Sequence, residues 1–253
     1  MTAERAYDVV VVGAGHAGCE AALAAARMGC ETALVTLDAR AVARMSCNPA
    51  IGGLAKGQLV REIDALGGVM GRATDATGIQ FRMLNTAKGP AVQAPRAQAD
   101  KEAYSGRMHR VVSATRRLTL IEAETRDLLV EGGILLGVVL ADGRTLRTAC
   151  AVVTTGTFLR GLLHIGLESR PGGRINEETS VGLSQALADL GLPMGRLKTG
   201  TPPRVLRDSV DFDAMDRQPG DAEPVPFSFD TDAITTRVRV HREYPVERQA
   251  GAP

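Results

Sequence analysis

Gly13, Gly15 and Gly18 stand at G-x-G-x-x-G spacing in the string Gly13-Ala14-Gly15-His16-Ala17-Gly18, a spacing suited to holding a pyrophosphate. The first glycine makes a tight turn. The second lets the backbone approach the phosphates, and the third allows close packing of helix on strand. A helix starting here offers amides without intrahelical partners and the positive end of its dipole. In such units an acid near the end of the next strand usually holds a ribose. This chain has Thr36 there, with Asp38 two residues on, which suits either a ribose contact or an exposed loop acid. The loop alone does not separate one dinucleotide from another.

A second candidate is Cys47, in the segment RMSCNPAIGG over 44–53. Asn48-Pro49 and Gly52-Gly53 mark turns, so the thiol falls in a loop before a helix expected over 54–66. Near a helix start, with Arg44 and Lys56 nearby in sequence, a lowered thiol pKa would make it nucleophilic. A buried small hydrophobe is the other reading. Cys19 and Cys30 are expected to pack, Cys150 precedes a buried strand, and the four cysteines lack CxxC or nearby His spacing, so no metal site or disulfide framework is expected. Residues 79–100 carry Arg82, Lys88 and Arg96 among Gly89-Pro90 and Pro95, and read as an irregular basic stretch that meets an anion or is simply solvated. A helix is expected to follow from about 97 to 114.

The elements that position these residues follow from the pattern. Residues 7–12, YDVVVV, form a β-branched run typical of a strand buried on both faces. An Ala-rich helix over 17–28 ends at Gly29, and ETALVT over 31–36 is the next strand, closing a βαβ unit. LTLIE at 118–122 is a third strand. Short strands over 127–131, 134–141 and 144–148, separated by Gly-Gly and Asp-Gly, form a meander. AVVTT at 151–155 then returns to a buried strand ending in Thr-Gly. This order is that of the FAD domain in two-dinucleotide flavoproteins, which favours FAD over NAD at the first loop. The fold class is therefore α/β: a Rossmann-like FAD-binding domain of the glutathione-reductase type with a β-meander, plus the start of an inserted second domain.

Composition narrows the classes. The chain has 253 residues, enough for one large domain or two small ones. Aromatic residues make up only 3% with no Trp, so the core must be aliphatic. A net charge of +1 gives no global sign of a nucleic-acid partner and leaves local basic patches open. No signal peptide is visible, and no apolar stretch reaches the roughly 20 residues a membrane helix needs. A reduced cytoplasmic setting is expected.

Longer strings resemble one family, the MnmG (GidA) tRNA-uridine modification flavoproteins. They are GAGHAGCEAA at 13–22, SCNPAIGG at 46–53, KGQLVREIDALGG at 56–68 and GIQFRMLNTAKGPAV at 78–92. RAQAD at 96–100, TGTFLRG at 155–161, HIGLESRPGGR at 164–174 and GRLKTGTPPR at 195–204 complete the set. The resemblance implies FAD as cofactor, NADH as reductant and methylenetetrahydrofolate as carbon donor. It implies tRNA as substrate, an MnmE-type GTPase as partner and a homodimer. The product would be a (carboxymethyl)aminomethyl group at the 5-position of the wobble uridine. Carried over by position, Gly13, Ala14, Gly15, His16, Ala17 and Gly18 hold the pyrophosphate, and Thr125 and Ser180 contact the cofactor. Cys47 becomes the catalytic thiolate. Lys56, Arg82, Lys88, Arg96, Lys198 and Arg204 are candidates for tRNA phosphates or a folate glutamate.

The domains expected on this basis are an incomplete FAD-binding domain over 1–200, the start of an inserted nicotinamide or substrate region over 201–229, and a tail over 230–253 that leaves the family pattern. The chain as it stands is expected to be an inactive fragment. A folate-dependent tRNA uridine methyltransferase and a non-catalytic FAD-binding fragment are the alternatives.

Overall fold

A computed structural model gives the fold and describes residues 6–45, 48–173, 182–198, 200, 205–216 and 218–234. In chain order the elements are β1 (Val9–Val12), α1 (His16–Arg27), β2 (Thr32–Thr36), β3 (Ala50–Gly52), α2 (Lys56–Ala65), α3 (Met70–Thr77), β4 (Gly78–Leu84), β5 (Ala94–Ala99) and α4 (Lys101–Ala114). They continue with β6 (Leu118–Glu122), β7 (Thr125–Glu131), β8 (Ile134–Leu140), β9 (Thr145–Arg147), β10 (Ala151–Val153), β11 (Leu162–Ile165), β12 (Glu168–Pro171) and α5 (Gly182–Asp189). The chain divides into two compact units, one of residues 1–44 and 105–197, the other of 45–104 and 198–253.

The first unit is built on a parallel four-stranded sheet of order β10-β1-β2-β6. The chain moves from β1 to β2 to β6 on one side and returns on the other with β10. The direction of winding therefore reverses between β1 and β10, and ligands of open α/β sheets bind outside the strand ends at such a point. Val10 and Val12 share a buried cluster with Ala33, Val35, Val138, Leu140, Leu146 and Leu183, so one sheet face packs toward the meander and α5. Strand alternation sends Val11 and Leu34, both fully buried, to the other face, where α1 crosses β1 and β2. Each such aliphatic side chain contributes about 1.5–3 kcal/mol on burial.

α1 forms because Cys19, Ala22, Leu23 and Ala26 recur at helical spacing and make its buried stripe. It stops at Gly29, whose φ of 97° suits a glycine closing a helix, and whose amide bonds the carbonyl of Ala26 at 3.1 Å. β7, β8 and β9 form the expected antiparallel meander. Gly132 and Gly133, at φ 58° and 81°, supply the left-handed pair that a two-residue hairpin turn demands.

The second unit departs from the expectation of an irregular stretch over 79–100. Residues 78–84 and 94–99 are strands, and with β3 they form an antiparallel sheet of order β3-β5-β4. The signal was weak for a physical reason. The buried positions of β5 are Ala94, Pro95, Ala97 and Ala99, which carry little hydrophobic contrast and low strand propensity. Pro95, which lacks an amide donor, uses its carbonyl to accept from the Gly53 amide at 2.9 Å. The helix expected from 97 begins instead at Lys101, because the Asp100 carboxylate caps it, accepting from the amides of Glu102 and Ala103 at 3.0 Å.

Asp75 on α3 is a buried carboxylate in this unit. Burial pushes its pKa up, and the charge of Asp64 on α2 pushes the same way. The Phe227 and Ser228 amides and the Thr231 hydroxyl pull it down without cancelling the rise. The folded chain therefore holds this proton more tightly than the unfolded chain does. Ionised Asp75 costs stability above its folded pKa, and the cost is relieved as pH falls through that value toward the ordinary aspartate range. A carboxyl NMR titration is expected to place the Asp75 midpoint above that of the denatured chain, and a midpoint at or below it would refute the sign.

Candidate functional site

The glycine loop joins β1 to α1 at the point where the sheet reverses. Gly13 sits at φ 101°, and a Cβ there would run into the Thr154 carbonyl oxygen. Thr154, just past β10, donates its hydroxyl to the carbonyls of Val12 and Gly13, both at 2.9 Å, and its amide bonds Val12 O at 2.8 Å. A Cβ on Gly18 would overlap the Gly13 carbonyl oxygen, and Thr154 Oγ1 lies 2.7 Å from the same point. The first and third glycines are therefore required by packing of the protein against itself.

Gly15 is different. It is exposed, and a Cβ there would meet nothing within 4 Å. It occupies the N-cap of α1 with no side chain capping it, and no acid stands in the first turn. Ala17 is exposed beside it, and the Ala17 and Gly18 amides fall in the turn that has no intrahelical partners. An open glycine, an uncapped helix start and a first turn free of acids form a cradle for a phosphate. The residues present thus fit a dinucleotide pyrophosphate. The backbone of Ala14 is fixed from behind, its carbonyl accepting from the Ala43 amide at 2.8 Å and from Cys19 Sγ at 3.4 Å. Burial, with the charge of Glu20, pushes the Cys19 thiol up to about 12, so it packs and does no chemistry at neutral pH.

With that geometry in place, the comparisons with known proteins decide the family. The family profile described as glucose inhibited division protein A matches residues 8–249. The chain belongs to this family. The match runs on to residue 249, into the 230–253 tail expected to leave the family pattern.

Among relatives, the MnmG tRNA uridine 5-carboxymethylaminomethyl modification enzyme of Geobacter sulfurreducens is 59% identical over 231 residues, covering 91% of this chain and 37% of the relative. Its counterpart in Geotalea uraniireducens is 57% identical over 246 residues, covering 97% and 39%. The solved structure of Aquifex aeolicus GidA superposes with a TM-score of 0.86 at 52% identity, over 90% of this chain and 38% of that one. The GidA-related protein of Thermus thermophilus gives 0.54 at 26% identity, over 74% and 69%. The α/β fold is thus that of GidA, and the chain spans less than two fifths of the MnmG relatives described here.

The other positions singled out in the sequence fall as follows. Thr125 opens β7, is buried, and lies in register with Leu140. Asp38 caps the short 3₁₀ turn Ala39–Ala41, its Oδ1 accepting from the Arg40 amide at 2.8 Å and Arg40 Nε at 3.2 Å, and its Oδ2 from Arg44 Nη2 at 3.5 Å. Slight burial pushes its pKa up, but the Arg40 amide and the two guanidiniums outweigh this and hold it below the ordinary value. Asp38 is thus a capping carboxylate that already has partners. Cys47, Ser180 and Arg204 lie outside the described residues.

Among the described basic candidates, Arg82 and Arg96 come together, in register across β4 and β5. Like charges directly opposite are unfavourable unless something neutralises or separates them. Arg82 Nη1 donates to Gln218 Oε1 at 2.7 Å, and two arginines in cross-strand register suit an anionic oxygen group. Lys56 at the start of α2, Lys88 after β4 and Lys198 after α5 are exposed and stand apart in the chain. Thr154, which shapes the loop, was missed as a site residue, although the Thr-Thr-Gly string ending the β10 region carried its signal. No cluster among the described residues holds three metal-ligating side chains, and no described helix is long and apolar enough to cross a membrane.

Proposed function

We propose that the chain binds FAD on Gly13–Gly18 and serves in tRNA modification, forming a (carboxymethyl)aminomethyl group at the 5-position of the wobble uridine with an MnmE-type GTPase. The observation that carries this reading is 59% identity over 91% of the chain to a relative named for that reaction. The open cradle at Gly15 supports the cofactor assignment. Bound FAD would supply the redox chemistry, with NADH as reductant and methylenetetrahydrofolate as carbon donor. Gly15, Ala17 and Gly18 would hold the pyrophosphate, with Thr125 and Ser180 as further cofactor contacts. Asp38 reaches a ribose only by adding a contact to those it makes with Arg40 and Arg44.

Cys47 is the proposed nucleophile toward the uracil ring. Arg82 and Arg96 are the proposed pair for a phosphate or carboxylate, with Lys56, Lys88, Lys198 and Arg204 as weaker anion contacts. Residues 1–200 serve as the cofactor domain, 201–229 as the beginning of the nicotinamide or substrate region and 230–253 as a tail. The setting is the cytoplasm, and the active assembly is a homodimer. Because the chain covers 37% of that relative, binding FAD without completing the reaction is the activity proposed for it alone.

The test separates these parts. The purified chain is expected to retain flavin, seen as visible absorbance that comigrates with the protein and is released on denaturation. Added to tRNA with the GTPase, folate and NADH, it is expected to leave the wobble uridine unmodified. Colourless, folded protein that takes up no added FAD would refute the cofactor assignment.

A further inference from the structure

Residues 226–231 are fastened to the second unit in an unusual way. The amides of Phe227 and Ser228 donate to Oδ1 and Oδ2 of Asp75 at 2.8 and 2.9 Å, and the Phe229 amide donates to Asp64 Oδ2 at 2.8 Å. Three successive main-chain donors thus go to two carboxylates, one on α2 and one on α3, and not to a strand or a helix ladder. Arg61 of α2 donates through Nη2 to the Pro226 carbonyl at 2.7 Å, and its guanidinium lies 5.5 Å from the Phe229 ring centre. Arg72 of α3 stands 3.7 Å from the Asp230 carboxylate. The Phe227 ring is fully buried against Gly52, where an added Cβ would come within 2.7 Å of it.

The chemistry of this contact is specific. Hydrogen bonds from amides to a charged carboxylate are about twice as strong as neutral ones. The charge of Asp64 adds to the cost of ionised Asp75, and the amides offset part of that cost. Recognition is chiefly of the main chain: three donors are backbone amides, the Thr231 hydroxyl adds a fourth to Asp75, and Phe227 adds a socket. Residues 218–221 are tied down separately: the Asp221 amide bonds Phe81 O at 2.8 Å and its carboxylate accepts from the Met83 amide at 2.7 Å.

We propose that the α2–α3 edge is a latch that reads main-chain amides, and that residues 226–231 are its occupant, docking and undocking as one local unit while the β3-β5-β4 sheet stays folded. The latch sets where the chain runs after Phe229. Its two acids are not equivalent. Asp75 uses both oxygens, whereas Asp64 uses one, and its Oδ1 makes no hydrogen bond among the described residues. Asparagine keeps one acceptor and turns the other into a donor. It can therefore serve at position 64 and fails at position 75, where its amide group would face an N–H.

Residue-resolved amide exchange on the purified full chain tests this. In Asp75→Asn, exchange at Phe227 and Ser228 is expected to quicken by about tenfold or more, with Phe81 and Ala97 in the sheet unchanged. In Asp64→Asn, exchange at Phe229 is expected to stay within about twofold of the parent, while Asp64→Ala releases it by about tenfold. Equal effects of the two asparagine variants would overturn the proposal. So would unchanged exchange in Asp75→Asn, or loss of protection across the whole sheet in that variant.

Discussion

A Gly15→Ala variant is expected to fold as well as the parent chain and yet hold FAD at least about tenfold more weakly. The added methyl meets no protein atom within 4 Å, and the backbone at φ −71° accepts an alanine without strain. What it occupies is the space a phosphate needs beside the α1 amides. Gly18→Ala makes the opposite case. Its methyl would overlap the Gly13 carbonyl oxygen, so the loop itself must shift. That variant should lose about 1–3 kcal/mol of stability along with the cofactor. Thermal melts and flavin titrations of the two side by side give the check. Equal stability loss in both would mean that the loop glycines are structural alone. Undiminished FAD binding in Gly15→Ala would remove the phosphate from this loop.

Replacing Cys47 by serine is expected to lower wobble-uridine modification by at least about a hundredfold, the lower range for an activated catalytic group, while flavin binding is unchanged. The substitution preserves size and polarity but exchanges a thiol, a group that ordinarily ionises at about pH 8.5, for a hydroxyl that stays protonated. The measurement belongs in a family member carrying the remaining length, with this cysteine replaced and the tRNA product analysed by mass. A modified wobble uridine at the parent rate would end the role of the thiol. Loss of flavin together with activity would assign the cysteine to cofactor binding instead.

Legibility differed between the two units for reasons of residue type. In the first, YDVVVV, the glycine loop and the meander turns each carry a strong local signal, because β-branched runs and left-handed glycines admit few conformations. In the second, β5 is built from Ala, Pro, Arg and Gln, and its strand character comes from neighbours on both sides. α3 was not anticipated either. Its buried positions Gly71, Ala73, Thr74, Asp75 and Thr77 include three polar residues and a glycine, so no apolar stripe announces it.

By itself the sequence determined the βαβ unit, the glycine loop, the α/β class and the family, because these rest on local conformational limits and on long matching strings. Tertiary structure decided what each glycine is for. Gly13 and Gly18 are fixed by contact with Thr154 and with each other, and Gly15 by the absence of contact, which only the returning strand β10 makes visible. It also decided that Asp38 is a cap held by two arginines, that Arg82 faces Arg96, and that Asp64 and Asp75 receive a segment some 150 residues further along. Such pairings depend on register and on chain return, and no local pattern encodes the partner of a residue that far away.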